Sequence, residues 1–220
     1  MNGERSRSIA VTVLIIDDDR REAENAASYF EQTPLDVDIR FVVKSPDDVE
    51  NLANWLQVIE DLSVSAVLLD HLLGQSSGAS YTGLELADSL RDVKPLLPLF
   101  ILTKYASDER LESNGFSVDD VLDKERLRQN AAAYVTRILR GIGRYEEAKS
   151  NRAKHLGDLI SLSLARELSS EEKLELNTIR SELGLPVLLR QLDLADEAHT
   201  NLESQKELLA SLRRLLGETK

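Results

Sequence analysis

The chain has no cysteine, three histidines, one tryptophan and a shortage of positive charge. Without cysteine there are no disulfides, no thiol nucleophile and no thiolate metal site. So few histidines leave little scope for a histidine-rich metal centre. In 220 residues, 27 Lys and Arg face 39 Asp and Glu, a formal charge of −12. Such a charge argues against a general nucleic-acid coat or an anionic membrane surface as partner. No apolar run approaches the ~20 residues of a membrane span. The basic, then apolar N-terminus stops at Asp17, too soon and too charged for a signal peptide. A soluble, cytoplasmic protein is the expectation.

What is present is unevenly spread. Residues 1–146 carry 16 basic and 26 acidic side chains, and residues 147–220 carry 11 and 13. The last aromatic residue is Tyr145, and the stretch beyond residue 146 holds 19 leucines. An aromatic-free, leucine-rich segment with interspersed charge predicts helices packed through leucine seams. The expected organisation is an α/β domain over 8–140 and an all-α, coiled-coil-like unit over 141–220.

In the first half, strands and helices alternate. VTVLII (11–16) is a short β-branched run ending in Asp17, Asp18 and Asp19. Helix is expected over 20–31, then a strand over 38–43. Ser45 and Pro46 predict the start of one helix reaching about Glu60, with Val49, Leu52, Trp55, Leu56 and Ile59 at helical spacing. AVLL (66–69) ends in Asp70, and the Gly/Ser-rich stretch 74–83 reads as a loop. A helix over 84–93, a strand PLFIL (98–102) ending in Thr103, and a helix near 107–114 follow. A fifth strand over 118–122 ends at Asp123 and Lys124, and helix resumes at about 125.

Five strands alternating with helices imply a doubly wound, five-stranded parallel sheet of the flavodoxin-like kind. Ligands of such sheets bind outside the carboxyl ends of the strands. Asp17, Asp18, Asp70, Thr103 and Lys124 should therefore converge in one crevice. Gathered carboxylates repel, and a hard divalent cation relieves that repulsion. Mg²⁺ takes one or two carboxylates, with waters and phosphate oxygens completing its shell. Lysine offers a point charge to phosphate. An aspartate so placed can attack phosphorus. The local alternative is that the Asp17–Asp19 run merely ends a strand and caps a helix.

VLIIDDD, AVLLD, LFILT and VLDK, in this order and spacing, resemble the receiver domain of two-component response regulators. TGLELADSLR is similar to the helix that follows the phosphorylated strand in that family. The resemblance covers roughly residues 10–140. It implies Asp70 as phosphoacceptor, Asp18 as direct Mg²⁺ ligand, Asp17 acting mainly through water, and the carbonyl of Leu72 as a further ligand. Thr103 would bind the phosphoryl group and move on its arrival, and Lys124 would pair with it. The donor would be a phosphohistidine on a histidine kinase or phosphotransfer protein. The protein would be a signalling module rather than an enzyme.

The chain departs from the family pattern at several points. Lys104 stands where a small residue is usual; it would gate the phosphoryl site, stabilise its charge or replace it. Glu125 replaces a proline, and Val121 replaces the aromatic residue tied to activation. The loop after Asp70 is longer than usual. A receiver-like scaffold that is not phosphorylated, or a transcription regulator with a diverged DNA-binding tail, are the competing readings. His71 reads as a loop residue rather than a second metal ligand, because Mg²⁺ prefers oxygen.

In the second half, Leu127, Ala131, Tyr134, Ile138, Ile142 and Tyr145 form a stripe on a helix that runs on through Leu156, Leu159, Ile160 and Leu162 to about Glu167. Ser169 predicts the cap of another helix, ending near Leu183 before Gly184 and Pro186. A last helix over 186–216 carries near-heptad leucines and predicts a homodimer or a helical protein partner. IRSELGLPVLLRQL only faintly resembles a helix-turn-helix, and without a basic footprint DNA is not the expected partner. His155 reads as a solvated helix residue rather than a phosphotransfer histidine.

Overall fold

The computed structural model describes residues 11–35, 37–49, 51, 54–107 and 117–183. Strands β1 (Val11–Ile16), β2 (Ile39–Lys44), β3 (Val64–Leu69), β4 (Leu99–Thr103) and β5 (Asp120–Asp123) form one sheet in the order β2-β1-β3-β4-β5. Every pairing is parallel. That order is the flavodoxin-like doubly wound arrangement. Helices α1 (Arg20–Glu31), α2 (Asn54–Asp61), α3 (Gly83–Val93), α4 (Leu127–Ala165) and α5 (Ser170–Glu182) complete the regular structure among the described residues.

The alternation of side chains along the strands builds two cores. Val13, Ile15, Ala66, Leu68, Phe100, Leu102 and Leu122 point to one face, where Ala23, Ala26 and Phe30 of α1 and Leu127, Tyr134, Val135, Ile138 and Ile142 of α4 cover them. Leu14, Ile16, Val67, Leu69, Leu99 and Ile101 point to the other, against Trp55 and Ile59 of α2 and Leu84, Leu86, Ala87 and Leu90 of α3. Strands covered on both faces are near-continuous apolar runs, which is why VTVLII and LFILT are legible as parallel strands. Trp55 is fully buried, and its indole Nε1 donates to the Tyr81 hydroxyl at 2.9 Å.

One element differs from expectation. The helix predicted from Ser45 to about Glu60 is broken into a 3-10 turn over Pro46–Asp48 and α2. Ser45 and Asp48 satisfy each other's backbone in a capping box, and Val49 is already extended. Asp47 also accepts from Gly78 N at 2.9 Å, which ties the turn to the loop before α3. Local 3-10 bonds, from Asp48 N to Ser45 O at 2.9 Å and from Val49 N to Pro46 O at 3.2 Å, stand in place of a helical ladder there. Tyr145 packs with the second core rather than with the stripe that precedes it. The predicted helix near 107–114 falls almost wholly outside the described residues.

The chain divides into two compact units, Met1–Asp92 with Leu97–Tyr145, and Val93–Leu96 with Glu146–Lys220. The second has its own core, in which Ala153, Leu156, Leu159 and Ile160 of α4 meet Leu176 and Ile179 of α5. Ser169 caps α5 through a capping box with Glu172, as its sequence predicts. His155 is about half exposed and lies 3.1 Å from Glu175, as a solvated helix residue would. The predicted helix over 186–216 and most of the segment resembling a helix-turn-helix lie outside the described residues. No described helix is long and apolar enough to cross a membrane.

Candidate functional site

The parallel register sets the site. Asp17 N donates to Lys44 O at 3.2 Å, Asp70 N to Ile16 O at 2.8 Å and Lys124 N to Thr103 O at 2.8 Å. These bonds continue the ladder one residue past the strands, so Asp17, Asp70 and Lys124 leave the sheet at the same carboxyl edge. They line a cleft of about 200 Å³ together with Asp18, Asp19, Glu22, Leu72, Gln75, Ser76, Lys104 and Tyr105.

Lys124 joins the carboxylates. Its Nζ donates to Asp17 Oδ2 at 2.7 Å and Asp70 Oδ1 at 2.8 Å, and reaches Glu22 Oε2 at 3.4 Å. The Lys124 side chain is 9% exposed. Burial pulls its pKa down, but the charges of Asp17 and Asp70 outweigh burial and leave it above the ordinary lysine value. Burial also disfavours the charged form of Asp17; Lys124 offsets only part of this, and the pKa of Asp17 is pushed up to about 6. The hydrogen bond from Lys104 holds the Glu22 carboxyl below its usual range.

Asp70 has its two oxygens fixed differently. Oδ1 accepts from Lys124, and Oδ2 accepts from the backbone N–H of Leu72 at 2.8 Å. Asp18 Oδ2 accepts from Ser76 N at 2.5 Å, a contact across the loop after β3. Asp19 caps α1, accepting from Arg21 N at 3.0 Å and Glu22 N at 3.1 Å. The capping part of the local reading therefore holds for Asp19. All three aspartates line the cleft, and Asp19 also starts the helix.

Gly83 is required by this arrangement. A Cβ there would lie 1.9 Å from the carbonyl oxygen of Asp70. Only a residue without one lets the start of α3 approach the backbone of the cleft so closely. Its N–H donates to His71 O at 3.0 Å.

Asp17, Asp18 and Asp70 each offer a carboxylate oxygen, and these atoms lie within 4.8 Å of one another. An all-oxygen donor set at that spacing suits a hard divalent cation such as Mg²⁺. His71 is buried and is not part of the group. Thr103 is fully buried at the end of β4 and does not line the cleft. Its Oγ1 accepts from Tyr105 N at 3.2 Å. Lys104 lines the cleft and is bound to Glu22.

Glu22, Gln75, Ser76 and Tyr105 are cleft residues that the strand pattern does not reveal. Glu22 carries a local signal only, as an acidic residue in the first turn of α1. The other three belong to loops, whose approach depends on the assembled sheet.

No family model matches the chain, and no curated protein matches it. Solved structures are similar to its fold. The response regulator protein TrrA of Thermotoga maritima, in complex with Mg²⁺ and BeF, is 19% identical with a TM-score of 0.46, covering 58% of this chain and 98% of that one. A CheY-like response regulator receiver domain protein of Methanospirillum hungatei is 19% identical with a TM-score of 0.47, covering 64% and 99%. A response regulator receiver domain protein of Clostridium thermocellum is 16% identical with a TM-score of 0.45, covering 61% and 95%. What the cleft can do follows from its own residues.

Proposed function

We propose that the protein is a signalling response regulator whose first unit accepts a phosphoryl group on Asp70, and whose helical unit passes the signal on by contact with another chain. The observation that carries this reading is the Lys124 ammonium bonded to both Asp17 and Asp70, in a cleft that Asp18 also lines. A carboxylate held by a buried cation at a solvent-accessible strand end is positioned as a nucleophile, and its charge is balanced without being quenched.

In the reaction, an Asp70 oxygen attacks the phosphorus of a donor. The new bond is the acyl-phosphate P–O bond, and the bond that breaks joins phosphorus to the leaving group. A phosphohistidine of a histidine kinase or phosphotransfer protein leaves as neutral imidazole after taking up a proton. Asp17, Asp18, Asp70 and the carbonyl of Leu72 would hold Mg²⁺, which would supply charge neutralisation for the phosphoryl oxygens. Lys124 stays beside Asp70 and pairs with the added charge. The Thr103 hydroxyl, now accepting from Tyr105, would turn outward to donate to the phosphoryl group.

The near-neutral helical unit, with its leucine seam and no aromatic residue, suits association with a second copy or a helical partner. Its coiled-coil character and dimerisation belong to the same proposal, as does a boundary near residue 140 between receiver-like and helical parts.

The test is an intact-mass measurement after exposure to acetyl phosphate and Mg²⁺, with sizing of the same samples. A gain of one phosphoryl group that vanishes in Asp70→Asn is expected. A gain unaffected by Asp70→Asn overturns Asp70 as the acceptor, and no gain favours a receiver-like scaffold that works without phosphorylation. The full burial of Thr103 and the presence of Lys104 in the cleft are the observations on that side.

A further inference from the structure

The cleft contains two ammonium groups that share one anion. Glu22 Oε2 lies 3.4 Å from Lys124 Nζ, and Glu22 Oε1 accepts from Lys104 Nζ. Glu22 thus stands between the two lysines with one oxygen toward each. Its side chain is 30% exposed and that of Lys104 is 50% exposed, so this pair can open without disturbing the core. Lys124 is the fixed member.

An ammonium has three protons to donate. Those of Lys124 face Asp17, Asp70 and Glu22, and the contact to Glu22 is the longest of the three. A phosphoryl group on Asp70 brings new oxygens beside Lys124 and more negative charge than a carboxylate. The proton it can claim at least cost is the one facing Glu22. Lys104, a compact charge on a flexible stem, then follows the larger charge.

We propose that Glu22 is a tethered competitor for the phosphoryl position, and that Lys104 and Lys124 together form a two-cation site that a phosphoryl group on Asp70 takes over from it. The proposal rests on Asp70 being the acceptor. Lys104 is then neither a plug nor a bystander but a specificity residue for a tetrahedral, multiply charged group. Glu22, released, sits in the first turn of α1, so that helix start senses the exchange.

The probe is beryllofluoride, a tetrahedral phosphoryl analogue, added with Mg²⁺ to the full chain, with bound fluoride followed by fluorine NMR. Glu22→Gln, which keeps shape and removes charge, should tighten binding by roughly three- to tenfold, and Lys104→Ala should weaken it by a similar factor. Because the two residues act on each other, Glu22→Gln should gain less in the Lys104→Ala background. Glu24→Gln, on the same helix but paired with Arg20, controls for net charge and should change binding less than about twofold. Equal binding by wild type and Glu22→Gln, or an equal gain from Glu24→Gln, overturns the proposal alone. Absence of binding in every variant, or binding undiminished in Asp70→Asn, overturns the acceptor reading and the proposal with it.

Discussion

Lys124 gathers the charges of the cleft. Replacing it with methionine keeps much of its volume and leaves Asp17 and Asp70 facing each other without their cation. Breaking one side of a buried ion pair costs about 3–5 kcal/mol, and urea unfolding near neutral pH should show a loss of that order in Lys124→Met. Mg²⁺ should recover more stability in the variant than in the wild type, because binding the folded state stabilises it by mass action. Equal Mg²⁺ effects in both would mean that the cation does not enter the carboxylate cluster. Asp17, Asp18, Asp70 and Lys124 were legible in the sequence because each lies within two residues of the end of an apolar run. A parallel sheet sends all such positions to one edge. Glu22 was not legible as a cleft residue. It is one of three acids on α1, and only the assembled fold brings it to a lysine 102 positions away.

At the scale of elements, Gly83 joins α3 to the acceptor strand. Gly83→Ala puts a methyl group 1.9 Å from Asp70 O, so either the helix start or the Asp70 backbone must move. Overpacking of this kind costs about 1–3 kcal/mol, read as a lowered urea midpoint, and the displaced Asp70 should also lose phosphoryl acceptance. In the other unit, α5 depends on its first turn. Arg166 and the backbone N–H of Ser169 hold the Glu172 carboxyl down to about 2. A carboxyl depressed in the folded state adds stability above its unfolded pKa, and that contribution fades as pH falls from about 4.5 toward 2. Thermal unfolding followed by circular dichroism should therefore separate wild type from Glu172→Gln near pH 6, and the gap should close on acidification. The cap at Ser169 was readable from Ser-x-x-Glu. The break after Asp48 was not, because part of what holds that turn is a hydrogen bond from Gly78 to Asp47, 31 residues apart.

At the scale of the molecule, the two units bury separate apolar clusters. Leu156 is fully buried in the second. Leu156→Ala should cost about 2–5 kcal/mol there, and hydrogen exchange should show protection lost across α5 while β1 and β3 keep theirs. Loss of protection in the sheet as well would show that the units unfold as one. Optical spectroscopy can ask the same question of the unmodified protein. The only tryptophan, Trp55, is sealed in the sheet unit with its indole bonded to Tyr81, and no aromatic residue follows Tyr145. Intrinsic fluorescence thus watches the sheet unit alone, while helical ellipticity watches both. A denaturation experiment that records the two signals together compares the units without a label, and any offset between the curves measures how independently they melt.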